Sequence, residues 1–203
     1  MNNELKVLKE KYDNIMSNPE KVEGEFFQSV MSVFSYKKIS KGAMFNVRPF
    51  EYQRAGLKQG KELKKIPKAI KNTHVYYFDS DDQILLIEVY GQSEGIINRE
   101  YFFYRNDCTE SIYFNSGADS IRNITLSRDK KGHTISLLNY SDFGCSFFEY
   151  VYEGDVLVEI DVKHKEHSEK HLSSFKVCFI YNNGELNKIV HRHPNGYEEQ
   201  RYP

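Results

Sequence analysis

Tryptophan is absent from this sequence, and cysteine and proline are scarce, at three and five residues of 203. Cys108, Cys145 and Cys178 are odd in number, far apart and in no Cys-x-x-Cys pair, which favours reduced thiols over a disulfide framework. Cys178, inside Val177-Cys178-Phe179-Ile180, reads as a small buried apolar residue. Neither sign of charge is in excess: 28 Lys and Arg stand against 29 Asp and Glu, so no global pull toward nucleic acid or anionic membrane operates. No apolar run is long enough to cross a bilayer. The opening Met1-Asn2-Asn3-Glu4-Leu5-Lys6 is polar and lacks the basic start and apolar middle of a signal peptide. A cytoplasmic protein binding neither membrane nor nucleic acid is expected.

Chemical signatures are also missing. The glycines are scattered, so there is no phosphate-cradling P-loop and no dinucleotide fingerprint. No Gly-x-Ser-x-Gly elbow occurs and no cysteine has a histidine near it in sequence, which leaves nucleophilic catalysis without a candidate. No cofactor is expected. Asp79-Ser80-Asp81-Asp82 is acidic, but it lacks the glycine and terminal glutamate of a calcium loop and suffices as a hairpin turn. The carboxylates Glu149, Glu153, Asp155, Glu159 and Asp161 read as turn and wet-face acids.

What is abundant is tyrosine and phenylalanine, 15 and 14 residues, set in runs separated by polar turns. From His74 to Tyr202 turn chemistry recurs about every 12 residues, as consecutive hairpins require. Examples are Gln92-Ser93-Glu94-Gly95, Asn115-Ser116-Gly117, Glu153-Gly154-Asp155 and Asn182-Asn183-Gly184. The spacing predicts eleven strands, at 74–79, 83–90, 99–105, 109–115, 120–128, 133–140, 145–152, 156–163, 174–181, 185–192 and 196–202. In the eighth, Val156, Val158, Ile160 and Val162 alternate with Leu157, Glu159, Asp161 and Lys163, predicting one buried face. In Val75-Tyr76-Tyr77-Phe78, Tyr101-Phe102-Phe103-Tyr104 and the run from Phe147 to Tyr152, aromatics fall on both faces. Either helices cover the second face or an aromatic surface is left for a partner.

The amino-terminal part has a different rhythm. Leu5, Leu8, Tyr12 and Ile15 recur at helical spacing, and Asn18-Pro19 suits the start of a second helix presenting Phe26, Phe27, Val30, Val33 and Phe34 and ending before Lys41-Gly42. Between them and the strands, Arg54, Lys58, Lys61, Lys64, Lys65, Lys68 and Lys71 face only Glu62. This basic stretch suits either an acidic partner or a solvated connector; the lack of any aromatic between Arg54 and Lys71 argues against a nucleic-acid site.

The expectation is therefore one α+β domain: a helical part over residues 1–41, a basic connector over 42–73, and a large antiparallel β-meander over 74–203. Turns this short exclude parallel crossovers. So many strands predict strong curvature, with the helices against the concave side; a barrel or two-layer sandwich is the alternative.

Several hairpins share one form, an aromatic run, a turn with Asp, Asn or Gly, then alternating apolar residues. They are Tyr76-Tyr77-Phe78-Asp79 leading to Ile84-Leu85-Leu86-Ile87, Tyr150-Val151-Tyr152-Glu153-Gly154-Asp155-Val156-Leu157-Val158-Glu159-Ile160, and Phe179-Ile180-Tyr181-Asn182-Asn183-Gly184-Glu185-Leu186-Asn187-Lys188-Ile189. This resembles the strand-turn-strand unit of YD-repeat proteins, the arrays of Rhs-type bacterial toxins, with the tyrosine-aspartate pair replaced by Phe78-Asp79, Tyr152-Glu153 and Tyr181-Asn182. In overall format the chain also resembles the small immunity proteins encoded beside bacterial polymorphic toxins. That second resemblance transfers no site residue. It implies a protein partner, a toxin domain.

Two functions follow as expectations. The preferred one is a non-catalytic protein-binding module, an immunity protein that neutralises a cognate toxin. Tyr101, Tyr104, Tyr113, Tyr150 and Tyr152 would be its aromatic anchors and Lys58, Lys61, Lys65 and Lys68 a rim complementary to acid. Ordinary packing against the helices is the competing reading of each tyrosine. The alternative is a metal-assisted hydrolase built on His164, His167, His171, His191 and His193. It requires the two histidine groups to converge, whereas charged and hydroxylic neighbours suit a polar loop.

Overall fold

The computed structural model describes residues 2–91 and 95–203. Two helices lead, α1 (Asn2–Met16) and α2 (Pro19–Val33), followed by β1 (Tyr36–Lys41), a short helix α3 (Glu51–Arg54) and β2 (Lys61–Leu63). The meander then runs through β3 (Thr73–Phe78), β4 (Ile84–Tyr90), β5 (Ile97–Arg105), β6 (Cys108–Asn115), β7 (Ser120–Lys130) and β8 (His133–Ser141). It continues through β9 (Gly144–Glu153), β10 (Val156–Glu166), β11 (Ser173–Asn182), β12 (Glu185–Arg192) and β13 (Glu198–Tyr202). All eleven expected strands lie within three residues of their predicted bounds; the turn expected at 92–95 falls largely outside the described residues.

The strands form one antiparallel sheet in the order β13 to β3 and then β1 and β2. Its end strands do not pair with each other, so the sheet is open and not a closed barrel or a two-layer sandwich. Two strands were not expected. Tyr36–Lys41, read as the tail of the second helix, instead pairs with β3 on one side and β2 on the other, Ile39 standing between Val75 and Leu63. The helix stops at Val33, where the Phe34 N–H closes its last turn on the Val30 carbonyl and Ser35 already donates to the Phe78 carbonyl of β3.

Alternation assigns the two faces. Leu8, Tyr12 and Ile15 of α1 and Val30 of α2 are buried with Val75, Tyr77, Leu86, Tyr101, Ile112, Phe114, Ile124, Leu138 and Tyr140. Phe26 sets its ring edge-on to Tyr101, Phe103 and Phe114, and Phe34 to Tyr77. Val33, expected on this stripe, is 58% exposed at the helix end. Charge pairs tie the helices across: Glu4 with Arg128, Lys11 with Glu110, and Glu23 with Arg99, which also binds the buried Glu88 at 2.9 Å.

The opposite face is covered by the chain between β1 and β2. Residues 43–57, expected to be part of a solvated connector, form an arm across it. Phe45 packs edge-on to Tyr76 and Phe78 of β3, the Tyr76 hydroxyl accepts from the Met44 N–H at 2.9 Å, and further along Phe50 packs on Phe179 of β11. At the arm's end α3 lies against β13, where a Cβ on Gly56 would sit 3.2 Å from the Arg201 carbonyl oxygen. In a flat sheet β3 and β13 would stand ten strand intervals apart, about 48 Å. The eleven residue-to-residue steps from Phe45 to Gly56, four of them helical, reach only about 30 Å. The sheet therefore bends toward the arm. The arm occupies the concave side and the two long helices the outer side, the reverse of the expectation for the helices.

The same arrangement explains the two-faced aromatic runs, since helices cover one face and the arm the other. It also corrects the reading of β10. A bulge between Leu157 and Glu159 brings Leu157 to the same buried face as Ile160 and Val162, while Val156 is 45% exposed.

Candidate functional site

The concave face is apolar at its ends and polar in its middle. Its ends are the cluster of Tyr76, Phe78, Ile87 and Phe102 and the cluster of Leu137, Tyr150, Leu157, Ile160, Val177 and Phe179. Between them the cross-strand rows read Glu100, Tyr113, Asn123 and Ser111, Thr125, Asn139. In sequence these alternating polar residues look like a wet face. In the fold the arm passes beside them and borders an open hollow of about 330 Å³.

Arg48 closes one side of this hollow. Its guanidinium donates to Glu51 and Glu100 at 2.5 Å each and to the Ser111 hydroxyl at 2.8 Å. Burial pulls the pKa of Arg48 down, but the carboxylates of Glu100 and Glu51 outweigh it and hold the group above its ordinary value. Arg54 and Arg122 line the same hollow, and neither forms an ion pair among the described residues. Arg54 reaches only the Pro49 carbonyl at 3.4 Å and the Tyr150 hydroxyl at 3.5 Å, and lies 5.7 Å from the Phe148 ring centre. Arg122 is exposed and sits 5.6 Å from the ring of Tyr113. Asn123 donates to Thr125 at 3.0 Å, whereas the buried Oδ1 of Asn139 has no partner among the described residues. Across Arg54 a second hollow is lined by Ala55, Phe148, Phe175, Val177 and His191. No local sequence motif marks these groups. The arm and seven strands supply them, and only the fold brings them together.

The expected tyrosine anchors are dispersed. Tyr101 has no exposed surface and packs under Phe26, and Tyr150 is buried at the foot of the arm beside Arg54, so neither is a surface anchor. Tyr113 faces the hollow. Tyr152 donates to the Thr134 carbonyl at 3.0 Å and packs on His133; burial pushes its pKa up to about 12. Tyr104 is 40% exposed and donates to the Ile84 carbonyl at 2.9 Å.

Lys58, Lys61, Lys65 and Lys68, with Lys64 and Lys71, are all exposed, on and beside β2 at one end of the sheet. None pairs with a carboxylate among the described residues. The segment is shaped by Lys41, whose ammonium binds the Ala69 and Lys71 carbonyls, and by the Gly60 N–H bonding to the Ala43 carbonyl at 2.6 Å.

The histidines do not converge. His167 donates from Nε2 to the Ser141 carbonyl at 3.0 Å and packs on Tyr140, on the helix-covered face. His191 and His193 both pack on the Phe175 ring, with centroids 5.1 and 5.5 Å away. His164 lies 4.0 Å from Glu166, and His171 is exposed in the β10–β11 loop. Among the described residues no three His, Cys, Asp or Glu side chains are placed to hold a metal ion. Burial raises the pKa of all three thiols.

In comparisons with known proteins, no family model matches the chain and no curated protein is significantly similar to it.

Proposed function

We propose that this chain is a protein-binding module whose docking edge is β2 and the lysine-bearing segment that follows it, and that its partner is an acidic protein, a cognate toxin domain neutralised by the complex. The observation that carries this is the lysine edge: six exposed ammonium groups beside a terminal strand, with Glu62 the only acid among them in sequence and no ion pair to any of them among the described residues. Lysines on an edge strand keep sheets from pairing with their own kind. The same groups attract an acidic segment, which β2 can accept along its free backbone row. The immunity role adds a partner class to this geometry on the strength of the chain's format alone.

The test is co-expression with the protein encoded beside this gene, scored by survival and by co-purification. Rescue that is lost in a Lys61→Glu, Lys65→Glu, Lys68→Glu variant, with association slowing as salt rises, is the expected result. Rescue or binding insensitive to those charge reversals would move the interface elsewhere. A neighbouring protein that neither harms cells nor binds would remove the immunity role.

A further inference from the structure

The hollow beneath the arm is not needed for docking at β2, and its composition is unusual for a packed interior. Three guanidiniums face two carboxylates, and those two acids are both taken by Arg48. Arg54 and Arg122 are left without a counter-charge among the described residues. Arg54 is half-buried and, among the described residues, has only two long hydrogen bonds, each at the limit of a real one. A half-buried cation with so little compensation lowers its energy by accepting an anion, and two guanidiniums on one hollow match a dianion better than a single carboxylate. Asn139 borders the hollow as well, with its Oδ1 buried and unpartnered among the described residues.

The volume, about 330 Å³, is at the low end for pockets that hold small organic ligands. A phosphate monoester carries about 1.5 to 2 negative charges at neutral pH and presents oxygens that Arg can grip in pairs. We infer that the hollow between the arm and strands β5 to β9 is a binding site for a small phosphate monoester, with Arg54 and Arg122 holding the phosphate. Sugar phosphates and nucleoside monophosphates share that chemistry. The aromatic hollow across Arg54, with Phe148 and Phe175 on its wall, gives a nucleobase a place that a sugar phosphate leaves empty.

Titration calorimetry on the full chain at low salt, with ribose 5-phosphate, adenosine monophosphate, ribose and inorganic phosphate as separate probes, tests this. Expected are saturable binding of at least one ester, no binding of ribose, and weaker binding of inorganic phosphate. Adenosine monophosphate binding tighter than ribose 5-phosphate assigns the base to the aromatic hollow, and equal binding assigns the site to the sugar phosphate; both uphold the site. Arg122→Gln changes an exposed side chain and should leave the fold intact while weakening the ester about tenfold to a hundredfold. Asn139→Asp, checked for native circular dichroism, should weaken it further by placing a negative charge in the hollow. The inference is overturned if no ester binds at millimolar concentration, if inorganic phosphate binds as tightly as the esters, or if affinity is unchanged in Arg122→Gln.

Discussion

His74, at the start of β3, lies beside Tyr76, with its Nε2 3.2 Å from Asn72 Oδ1, and burial lowers its pKa to about 4. The unfolded chain takes up this proton near pH 6.5 and the folded chain near 4. Stability is therefore fully present above pH 6.5 and falls as pH drops between 6.5 and about 4, by up to about 3 kcal/mol. His74→Gln should flatten that slope in urea midpoints measured across pH 7 to 4. Arg48 is the second residue whose environment sets a clear expectation. Arg48→Met leaves Glu100 buried without its partner, and loss of about 3–5 kcal/mol is expected by chemical denaturation. Adding Glu100→Gln to that variant should recover most of the loss, because the uncompensated charge, more than the missing contact, is what destabilises. The tyrosines show the same rule: Tyr101 and Tyr113 lie on neighbouring strands of one aromatic-rich hairpin, yet one is core and the other faces the polar hollow.

At the scale of the elements, two glycines separate propensity from packing. Gly24 sits within α2 with nothing within 4 Å of where a Cβ would be, so Gly24→Ala should stabilise the protein by about 0.5–1 kcal/mol by lowering the entropy lost on forming the helix. Gly144 begins β9 where it crosses β10, and a Cβ there would lie 2.2 Å from the Lys165 carbonyl oxygen. Gly144→Ala must push the two strands apart, and a loss of about 1–3 kcal/mol with a lower thermal midpoint is expected. The helices were legible in sequence because Leu8, Tyr12 and Ile15 recur at the spacing their burial requires. The strand at Tyr36–Lys41 was not, because Tyr-Lys-Lys-Ile-Ser-Lys has no clear two-residue alternation and becomes a strand only through its pairing with β3 and β2.

For the whole molecule the deciding feature is the arm that draws the two ends of a thirteen-stranded sheet toward each other. Phe50 is its anchor on the carboxy-terminal half, held at φ 52° in the left-handed region and packed 5.2 Å from the Phe179 ring. Phe50→Ala removes that anchor while leaving Phe45 on β3. Hydrogen exchange should then quicken in β11 to β13, with β3 to β7 as protected as before, because the latter keep their cover from α1 and α2. Uniform acceleration across all strands would show that the arm stabilises the sheet as one unit instead.

The amino-acid sequence by itself determined the strand count from His74 onward, the antiparallel order and the two leading helices, because turn residues and apolar spacing act locally and short turns permit only neighbours to pair. It also marked the lysine run at 58–71, although not that those lysines sit at a sheet end. Which face each cover takes was decided only in three dimensions. The arm reads as connector because its burial comes from Phe45, Arg48, Phe50 and Arg54, residues with no regular spacing whose partners lie from about 30 to more than 100 positions away along the chain. The polar rows of β5 to β8 read as a wet face for the same reason: alternation tells that one side of a strand is polar, and only the path of a distant segment tells whether water or a hollow lies over it.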